Sequence, residues 1–121
     1  MKAAGKKEKG SRLERKVAEL IRAKGLDKKA SRMPLSGAMK HLPADIYTSL
    51  PIHIECKNQE RIKLYEWWDL TRSKAMMPKE PVLIVKSNNR PILAVITIEY
   101  LLNLLKTEQD YIYEETERIE G

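Results

Sequence analysis

The stretch that decides the fold reads PADIYTSLPIHIECKNQ and covers residues 43–59. Successive side chains of a β-strand point to opposite faces of its sheet. Glu55 and Lys57 therefore share one face of a strand, while Ile54 and Cys56 share the other. This alternation predicts a strand that turns an acid and a base towards one side and packing residues towards the other.

A second acid, Asp45, precedes Glu55 by ten residues. A hairpin that brings Asp45 beside Glu55 would place two carboxylates and the Lys57 ammonium in one small site. Two carboxylates at such a distance repel each other unless a cation lies between them. Mg²⁺ is usually held by one or two carboxylates, waters and a substrate phosphate, and a lysine can then orient or deprotonate a metal-activated water. The stretch predicts metal-dependent hydrolysis of phosphodiesters.

Charge is unevenly distributed along the 121 residues, which carry a formal net charge of +6. Residues 1–32 contain 12 Lys or Arg and four acids, whereas residues 108–121 contain six acids and one Arg. A basic balance favours a polyanionic partner. The basic third is therefore expected to face DNA, and the acidic end to turn away from it or to pack on a basic partner.

The length is that of one small domain, and a chain of this size buries only a modest core. Cys56 is the single cysteine, so no intramolecular disulfide can form, as in a reducing compartment. No apolar run approaches the ~18 residues of a membrane span, and the first ten residues lack the apolar region of a secretory signal. These features predict a cytoplasmic protein without a membrane partner.

The sequence predicts a flexible basic N-terminus over residues 1–10, a folded domain over 11–106 and an acidic tail over 107–121. Ser11 and Glu14 match a capping box at the start of the first helix, and Gly25 is placed to end it. The remaining predicted elements are a weak strand at 28–34, a mobile loop at 35–42, strands at 45–48 and 52–57, a helix at 62–76, strands at 82–86 and 91–97, and a short helix at 98–106. This α-β-β-β-α-β-β-α order predicts an α/β fold with a mixed central sheet flanked by helices.

This order and its motifs resemble the PD-(D/E)XK nuclease superfamily, and more narrowly the small Holliday junction resolvases of archaea and phages. The resemblance covers about residues 9–100 and leaves only the acidic tail outside. The matching segments are Lys9-Gly10-Ser11 before Leu13-Glu14-Arg15, then Arg32, Ser36-Gly37, Pro43 with Asp45, Glu55-Cys56-Lys57, and 81–86. In one departure, Ala44 separates the proline from the aspartate.

The resemblance implies a restriction-endonuclease-like fold and a role for each matched residue. Asp45 and Glu55 would bind Mg²⁺, for which Mn²⁺ substitutes, together with the backbone carbonyl of Cys56, and Glu14 would complete the acidic site. Lys57 would position the attacking water, and Gln59 extends the motif on the same face. The residues expected to contact DNA are Arg15, Arg32, Ser36 and Lys86.

Several of these residues also have a purely structural interpretation. Glu14 fits a capping box, and the basic residues could be ordinary surface cations. Cys56 is expected in the core. His41 and His53 lack the spacing of a zinc site, although His53 could touch substrate. Trp67 and Trp68 lie about 100° apart on a helix, which predicts one in the core and one at a subunit interface, where Trp is enriched.

Three functions are compatible with these patterns. The first is a Mg²⁺-dependent, structure-selective DNA endonuclease of the Holliday junction resolvase type, acting on four-way junctions as a homodimer in a prokaryotic, archaeal or phage-infected cell. The second is another nuclease of the same superfamily, acting in nicking, flap cleavage, repair or phage replication. The third is a DNA-binding module without catalysis. Retention of Asp45, Glu55 and Lys57 favours the enzymes.

Overall fold

The computed structural model describes residues 2–33 and 44–120. Its elements in chain order are α1 (Lys2–Ala23), β1 (Ser31–Arg32), β2 (Ile46–Tyr47), β3 (Ile52–Asn58), α2 (Leu64–Lys74), β4 (Glu80–Lys86), β5 (Leu93–Val95) and α3 (Ile98–Glu120). The predicted order and the α/β class are confirmed. The predicted loop at 35–42, with Ser36 and His41, lies outside the described residues.

The central sheet of the described residues has the order β3-β4-β5. β3 and β4 run parallel, with Glu55 opposite Leu83, whereas β4 and β5 run antiparallel. The sheet is therefore mixed, as predicted. The apolar run of β4 occupies its middle, where Leu83 is completely buried, because a strand with neighbours on both edges and layers on both faces has no contact with water.

β2 does not form the predicted hairpin ladder with β3. It pairs antiparallel with β1, with Arg32 opposite Ile46, in a separate two-stranded ribbon. The ribbon touches β3 where the backbone N–H of Asp45 donates to the carbonyl of Ile54 at 3.0 Å. The aspartate therefore lies beside β3, although it directly precedes a strand of the ribbon.

Two apolar clusters cover the two faces of the central sheet. Ile54 and Cys56 pack with the buried stripe of α1, which contains Leu13, Val17, Ala18 and Ile21. On the opposite face, Leu83 and Val85 pack with Trp67 of α2. The alternation of β3 thus sends its apolar side chains to α1 and leaves Glu55 and Lys57 on the face of α2.

The first helix begins at Lys2, so the predicted start at Ser11 and its capping box are wrong. Ala, Lys and Glu are strong helix formers, and they extend the helix through Gly5 and Gly10 although each glycine costs about 1 kcal/mol. The predicted end is confirmed, because Gly25 adopts φ +72° and its N–H donates to the carbonyl of Arg22 at 2.9 Å.

The last helix continues to Glu120 instead of ending at Lys106. Leu101, Leu102 and Leu105 are 40%, 54% and 49% exposed, although they lie within the segment that was predicted as a helix. No residue of α3 is buried, and the helix reaches the α1-side core through the partly buried Tyr100. The acidic segment is therefore part of a long amphipathic helix.

The second helix is shorter than predicted at both ends, and it buries Trp67 and Thr71. Trp68 is half-buried against the same cluster as Trp67, so both rings pack on the core of this chain. A role for Trp68 at a subunit interface stays a prediction. Among the described residues, no helix combines the length and apolarity needed to cross a membrane.

Candidate active site

One cavity of about 280 Å³ brings together most of the residues that the sequence predicted to be catalytic or to bind the metal. It is lined by Glu14, Asp45, Glu55, Cys56, Lys57, Leu70, Thr71 and Lys74. Four elements or their ends contribute, namely α1, the start of β2, β3 and α2. Side chains that are up to sixty residues apart in the sequence therefore meet at one point of the fold.

The position of Asp45 is fixed by backbone hydrogen bonds on both sides. Its own N–H donates to Ile54 at 3.0 Å, and its Oδ2 accepts the N–H of Cys56 at 2.8 Å. Its carboxyl group and that of Glu55 line the same cavity, and each shifts the pKa of the other. The juxtaposition of the two acids, which the sequence predicted, is therefore present.

Burial raises the pKa of Asp45 to about 7, with further increases from the negative charges of Glu55 and Glu14. Desolvation disfavours a charged carboxylate, and a neighbouring carboxylate disfavours it further. The site thus concentrates more negative charge than its own cations neutralise. A cation placed between Asp45 and Glu55 would lower the energy of both ionised groups.

Glu55 has the opposite tendency. Its burial would raise the pKa, but contacts with His53, Asp45 and Lys74 outweigh that effect and hold the pKa below its ordinary value. The Nζ atom of Lys74 lies 3.1 Å from Oε1 of Glu55, and Nε2 of His53 lies 3.4 Å from the same oxygen. His53 is therefore buried beside the acid and is not exposed to solvent.

Lys74 was not identified from the sequence. It follows Trp67 and Thr71 at spacings of seven and three residues, and residues at such spacings share one face of a helix. Because Trp67 and Thr71 are buried against the sheet, that face also carries Lys74 towards β3. This helical periodicity could have identified Lys74 from the sequence, but a charged residue was not expected on a face that packs against the sheet.

Glu14 reaches the cavity from α1, where it is buried. Its Oε2 accepts a hydrogen bond from Nε of Arg32 at 2.9 Å. Glu14 thus lies in the middle of the helix and not at its start. It does not cap the helix, so its side chain is available to the cavity. Arg32, predicted to contact phosphate, holds this acid in place.

The remaining predicted residues lie outside this cavity. Gln59 directly follows β3, which ends at Asn58, and its backbone N–H donates to the carbonyl of Lys86 at 3.0 Å. Arg15 lies on the outer side of α1, in a depression that it shares with Arg32. Lys86 lines a different cavity. Catalytic or DNA-binding roles for these residues stay predictions.

The residues of the cavity fit a small divalent cation with two carboxylate ligands. Asp45 and Glu55 would supply them. Burial raises the pKa of the Cys56 thiol, so this residue would offer its backbone carbonyl and not a thiolate. Within residues 2–33 and 44–120, no three His, Cys, Asp or Glu side chains are grouped so that they could hold one ion. Glu14 is therefore not placed as a third ligand. Mg²⁺ needs no more, because it retains waters and binds substrate phosphates.

Comparison with known proteins gives one match. A family model described as "Phage putative PDDEXK endonuclease" matches residues 5–120. It includes the acidic helix α3, which the resemblance seen in the sequence left outside. No curated protein and no solved structure matches the chain significantly.

Proposed function

The chain belongs to this family of phage PDDEXK endonucleases, and from that premise we propose that it is a Mg²⁺-dependent, structure-selective DNA endonuclease of the Holliday junction resolvase type. One observation carries the catalytic part of the proposal. Asp45, Glu55 and Lys57 line one cavity together with a third acid, Glu14, and burial and the neighbouring carboxylates raise the pKa of Asp45 to about 7. Such a site favours a bound cation.

Asp45, Glu55 and the carbonyl of Cys56 would hold the ion, and Mn²⁺ would substitute for Mg²⁺. When bound, the ion would lower the pKa of a coordinated water and polarise a phosphoryl oxygen. Lys57 lines the same cavity and would orient the attacking water or stabilise charge that develops on the phosphate. The expected products carry 5′-phosphate and 3′-hydroxyl ends.

Lys74 and Arg32 would act by holding the acids. Lys74 contacts Oε1 of Glu55, and Arg32 contacts Oε2 of Glu14. Each of the two acids is thus held by a cation from another element of the fold. Ordered acids reduce the entropy lost when ion and substrate bind.

Binding to DNA without a preference for base sequence is supported by the charge distribution. The net charge of +6 lies mostly on α1 and the residues that follow it. Contacts from such surfaces go to phosphates and respond to backbone shape, not to base sequence. The alternative is a nicking, flap or repair nuclease of the same superfamily. Because such an enzyme has the same catalytic residues, only its choice of DNA substrate would distinguish it from a resolvase.

A cleavage assay tests this proposal. Labelled four-way junction, linear duplex, flap and single strand would be incubated at fixed salt, with Mg²⁺ or with EDTA. Asp45→Asn and Glu55→Gln would be compared with Asp69→Asn and Glu66→Gln, which make the same chemical changes at exposed positions of α2.

Paired symmetric nicks in the junction that disappear with EDTA and in the two cavity variants support a resolvase. Equal cutting of flaps or duplex would discard the resolvase type and retain the nuclease. Tight binding without any cutting by the wild-type chain would overturn the proposal and favour a DNA-binding module.

We also propose that the enzyme is a homodimer joined through α3. Ile98, Leu105, Ile112 and Ile119 recur every seven residues along this helix and are all exposed. This α3 seam, continued by Leu101, has the period of a two-stranded coiled coil, and β-branched residues at such positions favour two strands. An amphipathic helix of this kind gains most of its stability from packing of its apolar side.

The partner that fits the α3 seam is a second copy of the chain. Five of the seven acids of α3 lie away from the seam, whereas Glu108 and Glu115 follow Leu101 within it at intervals of seven residues, and Glu115 is paired with Arg118. Two copies can thus approach without aligning most of their like charges. A two-fold dimer would present two equivalent active sites, as paired nicks in a four-way junction require.

The mass in solution tests the dimer. Light scattering should give twice the chain mass of 14.0 kDa, and Ile112→Glu should reduce it to one chain. Tyr113→Glu is the matched control, because Tyr113 is similarly exposed, 63% against 55%, but adjoins the seam on its outer side. A wild-type mass of one chain, or equal effects of both variants, would rule out this interface.

A further inference from the structure

A second cavity, of about 470 Å³, lies between α1 and the turn that joins β4 to β5. It contains four cations and three carboxamides over an apolar floor. We call it the basic cleft, and its lining residues are Lys9, Arg12, Leu13, Lys16, Asn58, Lys86, Asn88, Asn89 and Ile92. No carboxylate belongs to this lining, whereas the cavity of the active site contains three.

The basic cleft is held in shape by hydrogen bonds between its two walls. Nζ of Lys9 donates to Oδ1 of Asn88 at 2.8 Å, and Nδ2 of Asn58 donates to the carbonyl of Lys9 at 3.2 Å. The turn is fixed in addition by Glu60, which accepts the N–H of Asn88 at 3.1 Å. The opening therefore exists before any ligand arrives, which lowers the entropy lost on binding.

The cations of α1 share one side of the helix. Lys9, Arg12 and Lys16 are spaced by three and four residues, and side chains at this spacing are neighbours on a helix surface. Lys86 faces them from the end of β4. Lys16 lies 3.7 Å from Glu19, but both are more than half exposed, and such pairs contribute ~0–1 kcal/mol. Like charges so arranged are unfavourable until an anion joins them.

The basic cleft and the active site adjoin each other on opposite sides of α1 and β3. Leu13 lines the cleft and the next residue, Glu14, lines the active site. In β3, Lys57 lines the active site and the next residue, Asn58, lines the cleft. A ligand that occupies both cavities must pass around the carboxyl end of β3.

From this placement we infer that the basic cleft binds a stretch of DNA sugar-phosphate backbone other than the stretch being cut. This inference rests on the proposed function for the identity of the polymer. Phosphates match the four cations and the amide donors, and Leu13 and Ile92 offer apolar contact to sugars. Among the described residues that line the cleft there is no aromatic side chain on which a base could stack, so the contact would be independent of sequence.

Binding would be measured separately from cutting, with Asp45→Asn protein in EDTA. Anisotropy of labelled four-way junction, duplex DNA and duplex RNA would be followed between 50 and 200 mM salt, about the range over which phosphate contacts weaken strongly. Arg12→Gln/Lys16→Gln would be compared with Lys24→Gln/Lys28→Gln, which removes equal charge from exposed residues outside the cleft. Thermal unfolding of each variant would establish that it is folded.

The cleft variant is expected to reduce the slope of log K against log salt by about 1.8, since each lost phosphate contact contributes about 0.9 for duplex DNA. The control variant should keep the wild-type slope. Equal reductions of the slope in both variants would mean that DNA is attracted diffusely by the whole basic surface, and would overturn the inference. Binding of RNA in preference to DNA through the cleft would also overturn it. If the wild-type chain binds DNA through the cleft but does not cut, the proposed function fails and the cleft assignment stands.

Discussion

Replacing Lys74 with methionine tests whether this lysine neutralises the buried acid of the active site. The Nζ atom of Lys74 lies 3.1 Å from Oε1 of Glu55, and the side chains are 41% and 6% exposed. At an effective dielectric constant of about 20, two unit charges at 3.1 Å attract each other by about 5 kcal/mol. The exposure of the ammonium reduces this figure, so we expect Lys74→Met to lower the free energy of unfolding by ~1–3 kcal/mol.

The assay is urea unfolding at neutral pH in EDTA, with Arg72→Met as the control. Arg72 also lies in the last turn of α2, so its replacement removes the same favourable interaction with the helix dipole, ~0.3–1 kcal/mol. It does not line the cavity. The reasoning is refuted if Lys74→Met costs no more than Arg72→Met.

Added Mg²⁺ gives the same variant a second readout. A bound ion would replace the lysine as the positive neighbour of Glu55, so the deficit of Lys74→Met should shrink when Mg²⁺ is present. An ion that binds only the folded state stabilises it by about 2.7 kcal/mol at 100 times its dissociation constant. A deficit that is identical in EDTA and in Mg²⁺ would show that the ion does not contact Glu55.

Three further predictions concern the surroundings of the site. Thr48 and two backbone amides donate hydrogen bonds to Asp27 and lower its pKa to about 2. Asp27→Asn should therefore destabilise the fold at pH 7, and the difference in stability from wild type should vanish as pH falls from about 4 to about 2. A difference in melting temperature that stays constant over this pH range would contradict the prediction. Trp67→Ala should lower the free energy of unfolding in urea by ~3–5 kcal/mol, because Trp67 is only 5% exposed. A smaller loss than that caused by Trp68→Ala would contradict the prediction. Arg32→Met should lower the free energy of unfolding by ~1–3 kcal/mol, because it removes the hydrogen bond to Glu14. Arg15→Met is the control, and equal effects of the two variants would contradict the prediction.

The parts of the fold that the sequence predicted are those governed by short-range pattern. The alternation of β3, the apolar run of β4 and the positive φ of Gly25 each follow from a few neighbouring residues. Asp45 beside Glu55 was also predictable, because ten residues leave room for one turn. The exact pairing was not, because the partner of β2 is β1, which precedes a long intervening segment.

The misplaced helix ends have a common cause. Both α1 and α3 continue into segments whose charge indicated solvated, irregular chain. Lys and Glu are nevertheless good helix formers, so charge by itself does not end a helix. In α3 the seven-residue recurrence of Ile98, Leu105, Ile112 and Ile119 was present in the sequence. That this apolar side is exposed became clear only from the fold, because no other element of the described residues covers it.

Long-range contacts were beyond sequence reasoning. Arg32 was expected to contact DNA because the resemblance implied it, and Lys74 was not identified. In the fold each has an acid of the active site within 3.1 Å. Which anion a cation meets depends on how α1, the ribbon and α2 are brought together, and no local pattern encodes this.

The division of the active site between two sheets has a consequence for its dynamics. Asp45 adjoins a ribbon of two residues per strand, whereas Glu55 lies in the interior of the central sheet. A two-stranded pair is marginally stable by itself, and such units open locally at a lower free energy than the whole domain unfolds. The amides of Ile46 and Met33 should therefore exchange with deuterium faster than that of Glu55. Opening of the ribbon would move Asp45 away from Glu55, so the carboxylate pair would have the local stability of the ribbon and not that of the whole domain.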